Sequence, residues 1–408
     1  MITELRARNF KSWQDTGPLQ FAPLTGLFGA NSSGKTSILQ VLLMLKQTVK
    51  DNDSKLPLNF GKSNFDNVIH LHDKNLSLGF SVSWKLPKQI KIQGDLINSL
   101  SFSTAILEKY GSVMVERFCY STNRNDFEIG WTERGYRYLP NVIDEKADTY
   151  KCYGVDSPVG PLEKFKPLSE EFEGLFSRII YLGPLREYPQ HSYTWEGDHP
   201  QDIGMYGEKM ISALLSSRIL RHPIEVQILK WLRKLDLIYS YDVPPVTEEG
   251  KNYECLVKQY KDGPEVPLTD VGFGVSQVLP VLTLCYYAPE DSILILEQPE
   301  AHLHPKVQSD LADVLIDVVK NRNVQIILES HSEHLLLRLM RRIAEEDISV
   351  DQTALYFCQI NEGTSEIERL KVDEYGNISN WPQNFFGDEM GDLVEKTKAE
   401  MRRRKENK

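Results

Sequence analysis

The rhythm of apolar and polar positions changes several times along the chain, and each change predicts a different element. Residues 2–30 read as two or three short strands, the last ending in Leu24-Thr25-Gly26-Leu27-Phe28-Gly29. From Gly34 onward, Ser37-Ile38-Leu39-Gln40-Val41-Leu42-Leu43-Met44-Leu45 is apolar with few breakers, which predicts a helix. Strand-like runs recur over 75–140, among them Leu76–Trp84 and Ile90–Ile97, with turn residues between them. That pattern predicts an antiparallel sheet. Residues 141–205 are rich in Pro, Gly and Tyr and read as loops, whereas 206–237 reads as mostly helical with a break at Pro223. From about residue 253 strands and helices alternate: strand 254–260, helix 275–287, strand 292–297, helix 306–319, strand 324–329 and helix 332–345. Strands at 353–360 and 366–372 close the pattern. Such alternation predicts a mostly parallel sheet covered by helices. The expected architecture is therefore α/β. It has an N-terminal lobe over 1–140, a loop-rich and helical insertion over 141–250, and a C-terminal lobe over 251–408.

Composition narrows the class. At 408 residues, with 41% hydrophobic and 26% charged side chains, the chain has room for a sizeable core. A net charge of −11 argues against nucleic-acid affinity driven by overall charge, while leaving room for a local basic face. The five basic side chains within Arg402–Lys408 read as a solvated tail. Five scattered cysteines, Cys119, Cys152, Cys255, Cys285 and Cys358, show no C-x-x-C spacing and read as reduced thiols in a cytoplasmic protein. The N-terminus lacks the basic-then-apolar pattern of a signal peptide, and no run of about eighteen apolar residues predicts a membrane span.

The chemistry begins at Gly29-Ala30-Asn31-Ser32-Ser33-Gly34-Lys35-Thr36, which fits G-x-x-x-x-G-K-[ST] at every fixed position and runs on into Ser37. Glycines let the loop fold back so that backbone N–H groups face phosphate oxygens, and the positive end of the following helix adds to the attraction. Lys35 is placed to reach the β- and γ-phosphates and the Thr36 hydroxyl to ligate magnesium, so ATP and Mg²⁺ are the expected ligands. A chance match in a Gly/Ser turn is the plain alternative. The apolar strand before the motif and the apolar helix after it argue against that.

The magnesium shell needs a further carboxylate. Ser292-Ile293-Leu294-Ile295-Leu296-Glu297 is an apolar strand ending in an acid, the Walker B arrangement, and Gln298-Pro299-Glu300 follows it. Upstream, Val271-Gly272-Phe273-Gly274-Val275-Ser276-Gln277 puts glycines and a serine at a helix start. Alone this reads as a helix cap. About twenty residues before the acidic strand, it resembles a divergent ABC signature loop, which assigns Gly274, Ser276 and Gln277 to nucleotide. Downstream, Ile326-Ile327-Leu328-Glu329-Ser330-His331-Ser332 ends a second apolar strand in a polar turn and a histidine. In ABC ATPases a histidine so placed contacts the γ-phosphate; His331 matches it, and His334 is the local competitor. Two H-x-H pairs, His70-Leu71-His72 and His302-Leu303-His304, lack further ligands nearby and read as structural or interface residues.

Taken together, the chain resembles the ABC-type ATPase heads of the RecF/SMC/OLD group, loosely grouped with the AAA ATPases, and within it a bacterial family of unknown function. The strings Leu296-Glu297-Gln298-Pro299-Glu300, Leu303-His304-Pro305, Ser330-His331-Ser332-Glu333-His334 and Gly183-Pro184-Leu185-Arg186 carry the resemblance. So does the run Tyr375-Gly376-Asn377-Ile378-Ser379-Asn380-Trp381-Pro382-Gln383-Asn384-Phe385-Phe386. It implies a P-loop ATPase head with an antiparallel β subdomain, closing as a homodimer or higher oligomer around shared ATP. It further implies a place in antiphage defence operons beside an effector such as a nuclease. One departure matters. Where the group has Asp for magnesium and then Glu for the attacking water, this chain has Glu297 and Gln298. A neutral amide orients water but takes no proton, and losing a general base costs roughly 10²–10⁴ in rate. The expectation is a slow ATPase switch in which Glu300 or His331 assists Gln298. A RecF-like DNA-binding repair ATPase is the alternative, and a transporter motor the least favoured.

Overall fold

The N-terminal alternation becomes β1 (Ile2–Phe10), β2 (Trp13–Asp15) and β3 (Leu19–Gln20), after which the chain turns inward as β4 (Leu24–Gly29). The computed structural model describes residues 1–51, 57–92, 94–133, 135–139, 146–147, 149–155, 160–220, 224–247, 250–382, 396–400 and 403. Every residue of β4 is buried, as expected of a strand covered on both faces. It leads through residues 30–34 into α1 (Lys35–Lys50), and a single turn, α2 (Phe65–Val68), follows.

A meander comes next: β5 (Leu78–Ile92), β6 (Asp95–Lys109), β7 (Ser112–Ser121), β8 (Asp126–Thr132), β9 (Gly135–Leu139) and β10 (Lys146–Ala147). These strands form an antiparallel sheet in the order β10-β9-β8-β7-β6-β5-β1-β2, with β3 on β1. The expected strand Ile90–Ile97 is instead the tip of the β5–β6 hairpin, where Ile90 pairs with Ile97 and Ile92 with Asp95. Its alternation runs unbroken across the reversal at Gly94, whose φ of 94° is left-handed.

The loop-rich stretch holds more structure than its Pro and Gly content suggests. After the hairpin β11 (Thr149–Tyr150) and β12 (Gly154–Val155) come α3 (Phe165–Ser177) and β13 (Ile179–Leu182). In α3, Phe165, Leu168, Phe172, Leu175 and Phe176 share one buried face. That face packs aromatic rings on the antiparallel sheet and on the β11–β12 hairpin, with Phe172 4.6 Å from Phe102 of β6 and 4.7 Å from Tyr153 of the hairpin turn between centroids. Then follow β14 (Tyr193–Thr194), α4 (Met210–Ile219), α5 (Ile224–Lys234), β15 (Ser240–Asp242), β16 (Asn252–Tyr253), β17 (Leu256–Lys258) and β18 (Glu265–Pro267). The break expected at Pro223 lies outside the described residues. The strand expected at 254–260 is β17. It pairs antiparallel with β15 and β18 in a small separate sheet and takes no part in the parallel one.

The C-terminal alternation appears as read: α6 (Phe273–Tyr287), β19 (Ile293–Glu297), α7 (Pro305–Arg322), β20 (Gln325–Glu329), α8 (Glu333–Ala344), β21 (Thr353–Asn361) and β22 (Thr364–Arg369). The core sheet runs β13-β19-β20-β4-β21-β22, parallel throughout except for the edge strand β22. β13 thus belongs to the core, although its sequence lies within the stretch expected to be an insertion. Four residues before Gly183-Pro184 are too few to show a period.

The pleat sorts the side chains of this sheet into two layers. Ile293, Ile295 and Ile327 face the layer of α1, α3 and the antiparallel sheet. Leu294, Leu296, Ile326 and Leu328 face the layer of α4 to α8. Full burial of Leu39, Leu42 and Leu45 fixes α1 on its side, each contributing roughly 1.5–3 kcal/mol. All parallel strands point the same way, so Gly29, Glu297 and Glu329 end at one edge, where open α/β sheets bind ligands. Among the described residues no helix is long and apolar enough to cross a membrane, and all five cysteines are free thiols.

Candidate functional site

The P-loop joins β4 to α1 through two glycines that admit no side chain. Gly29 has a φ of 138°, and a Cβ there would stand 2.1 Å from the Cys358 carbonyl oxygen on β21. Gly34 has a φ of 91°, and a Cβ would meet Ser365 Oγ at 2.5 Å and the Trp13 indole at 2.8 Å. Trp13 Nε1 donates to the Gly34 carbonyl at 3.0 Å, so β2 braces the start of α1. No side chain caps that helix start, so its amides remain for an anion. Lys35 is 2% exposed and donates from Nζ to the carbonyls of Gly29 at 3.0 Å and Ala30 at 2.5 Å, and to Ser33 Oγ at 3.2 Å. Burial pulls its pKa down, while Glu329, Cys358 and Glu300 pull it up. Ala30, Asn31 and Ser32 stand exposed at the rim, and Ser37 N–H closes the first turn onto the Gly34 carbonyl. Glycine cradle, uncapped helix start and lysine together fit a polyphosphate.

A second carboxylate, besides the expected Glu297 strand end, meets the Thr36 hydroxyl. Thr36 Oγ1 donates to Glu329 Oε2 at 2.8 Å, and Glu329 was not among the residues singled out. Glu297 sits on the adjacent strand, in register with Glu329, and its Oε2 accepts from the Tyr181 hydroxyl at 2.6 Å. Burial raises the Glu329 pKa. The Thr36 hydrogen bond opposes this, the Glu297 charge adds to it, and Lys35 and Gln298 oppose it. A divalent cation held by Thr36 and this carboxylate pair would relieve that strain on Glu329. Gln298 has a left-handed φ of 45°, and its backbone N–H donates to the Glu329 carbonyl at 2.9 Å.

Behind this pair, Glu300 is buried and organises the histidine turn. Its Oε1 accepts from Ser330 Oγ and from the His331 backbone N–H, both at 2.8 Å. Its Oε2 has no partner among the described residues, and burial raises its pKa against those hydrogen bonds. His331 Nε2 lies 4.0 Å from Glu329 Oε1. Burial, then the Lys35 charge, lowers its pKa, while a hydrogen bond to the Gly29 backbone raises it. Arg186 also reaches this place. It is 8% exposed, Nη2 lies 3.5 Å from the Glu297 carbonyl oxygen, and Nε and Nη1 have no partner among the described residues. The sequence reading noted Arg186 only as part of a family string; an arginine just after a short strand carries no signal of its own.

Other residues stand apart. Ser276 and Gln277 are buried, and Ser276 Oγ donates to the Phe273 carbonyl of its own helix at 2.7 Å. The hydroxyl is therefore committed inward, and Gly272 and Phe273 are what the loop presents outward. Phe273 packs on Tyr188 at 5.6 Å and on His302 at 5.3 Å between centroids. Gly272 has open space around it, and Gly274 meets only Leu303. His70 and His72, read from the sequence as structural or interface residues, each make a backbone contact. Both lie in a tight turn, where His70 Nδ1 contacts the Lys11 carbonyl at 2.7 Å and His72 Nδ1 the Asp66 carbonyl at 2.6 Å. His304 caps α7, accepting from the Lys306 N–H at 3.3 Å. Of the C-terminal string, Gln383 to Phe386 lie outside the described residues, as does most of Arg402–Lys408.

The sequence profile of the AAA ATPase domain matches residues 1–128 and 230–336, more than half of the chain. The chain belongs to the AAA ATPase domain family. A second profile, described as a protein of unknown function, matches residues 348–395 of this ATPase. Uncharacterized protein MJ1542 of Methanocaldococcus jannaschii is 32% identical over 77 residues, 19% of this chain and 9% of that protein, so the match spans a small part of the relative's length. Among solved structures, an SMC head bound to the C-terminal winged-helix domain of ScpA superposes with a TM-score of 0.51 at 13% identity, covering 91% of this chain and 98% of that one. An SMC head domain from Thermotoga maritima gives 0.47 at 12% identity, covering 91% and 99%. The first likeness is one of fold: this ATPase has the ABC-type head architecture, with its antiparallel sheet beside the P-loop sheet. Membership of the family implies nucleotide binding and points to ATP hydrolysis.

Proposed function

We propose that this ATPase is a slow, ATP-driven switch that binds ATP with Mg²⁺, closes as a homodimer and so controls a separate effector protein. The observation that carries the reading is the meeting of Lys35, Thr36, Glu329 and Glu297 at one sheet edge. The loop 29–36 would hold the phosphates, and Thr36 with the two carboxylates would hold the metal, which would neutralise the phosphate charge. Gln298 orients the attacking water. Glu300 holds the histidine turn and, with its pKa raised by burial, is the nearby group suited to accept a proton. His331, close enough to Lys35 for its charge to lower the imidazole pKa, would be the residue that meets the γ-phosphate.

Exposed Leu185 and Tyr188, with Phe273 and His302, form the surface onto which a second copy closes. The first-turn amides of α6, uncapped by any side chain, meet the partner's nucleotide in place of the inward-turned Ser276 hydroxyl. An SMC head of this fold is bound to another protein's winged-helix domain. A head that docks a partner chain agrees with the antiphage role that the sequence resemblance implies, with a nuclease as the effector class.

Light scattering of the purified chain with and without ATP–Mg²⁺, together with turnover, tests the reading. An ATP-dependent doubling of mass with turnover below about 1 s⁻¹ supports it; faster turnover from a permanent monomer rejects it. Co-purification of a tagged chain from its own cells tests the effector.

A further inference from the structure

Beside the P-loop, a cleft of about 470 Å³ opens between α1 and the segment 60–63 and reaches the Tyr181–Glu297 pair. Its floor is apolar, with Leu43, Met44, Phe60 and Val68. Its walls carry four lysines, Lys11, Lys46, Lys50 and Lys62. Lys11 is bound to Gln40. For Lys46, Lys50 and Lys62 no hydrogen-bond or ion-pair partner occurs among the described residues. Lys46 is half-buried, and burial, followed by the neighbouring Lys50 charge, brings its pKa down to about 8, with Asp202 opposing. Lys46 thus holds an unpaired, half-buried ammonium beside the apolar floor, while Lys50 and Lys62 stand exposed; Asp202 and Glu297 also line the cleft, and the four lysines leave a local excess of positive charge that suits an anion.

We infer that this cleft is a second ligand site, distinct from the P-loop, for a small phosphorylated molecule carrying an apolar or ring-bearing body. The phosphates lie among Lys46, Lys50 and Lys62, and the body lies over Phe60 and Met44. The volume is that of a small-molecule site, and a cleft that dips toward Glu297 suits a compact ligand better than a strand tracking a surface. A ligand there sits within reach of the Tyr181–Glu297 hydrogen bond, which gives it a direct hold on the nucleotide site. The inference stands on the cleft and does not rest on how fast ATP is hydrolysed.

Titration calorimetry with inorganic pyrophosphate and with ADP, on the full chain carrying Lys35→Ala, separates this site from the P-loop. ADP is expected to bind more tightly than pyrophosphate, because only ADP uses the apolar floor. Adding Lys46→Gln and Lys62→Gln is expected to weaken both probes by at least about tenfold. Lys46→Arg is expected to retain binding, and melting curves confirm that each variant folds. Affinities unchanged by the lysine substitutions, or no binding of either probe up to about 10 mM, overturn the inference. Tighter binding of a short single-stranded oligonucleotide than of ADP, through the same lysines, overturns it in favour of a nucleic-acid surface. Residual ATP binding through the P-loop in Lys35→Ala is a failure of the P-loop reading alone, because the Lys46 and Lys62 comparison still decides this one.

Discussion

The Thr36 hydroxyl donates to Glu329 at 2.8 Å, tying the first turn of the P-loop helix to the end of the neighbouring strand. Glu297 stands in register with Glu329 one strand further out. Two carboxylates side by side with a threonine hydroxyl form the oxygen-rich set that a small divalent cation prefers. Glu329→Gln and Glu297→Gln are each expected to raise the Mg²⁺ concentration for half-maximal hydrolysis by about tenfold, with metal-free nucleotide binding retained. A Mg²⁺ titration of hydrolysis checks this, and an unchanged midpoint in both variants removes the metal from this edge.

Much of this site was legible because its parts are local. The P-loop is eight consecutive residues, and the strands of Glu297 and Glu329 are apolar runs that announce their own ends. What the sequence hid is set by pairing across the sheet. Whether Glu297 or Glu329 lies beside Thr36 depends on β20 lying between β19 and β4, and nothing in either strand's residues fixes that order. Tyr181 and Arg186 come from β13 and the loop after it, too short to show a period. The inward turn of Ser276 likewise follows from its bond to Phe273, which the glycine-rich pattern around it does not reveal.

Arg186 separates catalytic from structural need. Burial brings its pKa down to about 10, with Tyr181, Glu297 and Glu300 opposing, so it remains charged near neutral pH while two of its nitrogens lack partners among the described residues. Such a charge is costly to keep in a fold unless something arrives to use it. Arg186→Met fills the same space without the charge. Its melting temperature is expected to stay within a few degrees of the parent, while turnover falls about 10²-fold with little change in nucleotide affinity. Stability and turnover falling together would mark Arg186 as purely structural.

Gln298 offers a gain-of-function test. It follows β19 in a left-handed backbone conformation, with its backbone N–H donating to the Glu329 carbonyl at 2.9 Å. If it occupies the place where a base would act on the attacking water, Gln298→Glu supplies that base. Turnover is expected to rise at least about tenfold, with nucleotide affinity held. Steady-state phosphate release measures it, and an unchanged or lower rate moves the water-activating role to Glu300.

The histidine turn depends on how α8 is held, and Asp313 holds it. This buried carboxylate on α7 accepts from Arg342 Nε at 2.7 Å and Nη2 at 2.8 Å, and from Arg338 Nη1 at 2.8 Å. Burial pushes its pKa up, but the Arg342 hydrogen bonds and the charges of Arg338, Arg342 and Lys234 outweigh it and hold the carboxyl below its usual value of 3.8. A carboxyl whose pKa is lower folded than unfolded contributes stability above its unfolded pKa and loses it as pH falls through the folded one. The clamp is therefore fully present at neutral pH and fails only below about pH 4. Asp313→Asn is expected to cost about 3 kcal/mol at pH 7, because two arginines lose their buried counter-charge. That difference from the parent should shrink as pH falls below about 4, where the parent's own carboxylate becomes protonated. Denaturant unfolding at pH 7 and at progressively lower pH measures both. A deficit that stays constant with pH would mean that packing of α7 on α8, and not the charge on Asp313, holds the turn in place.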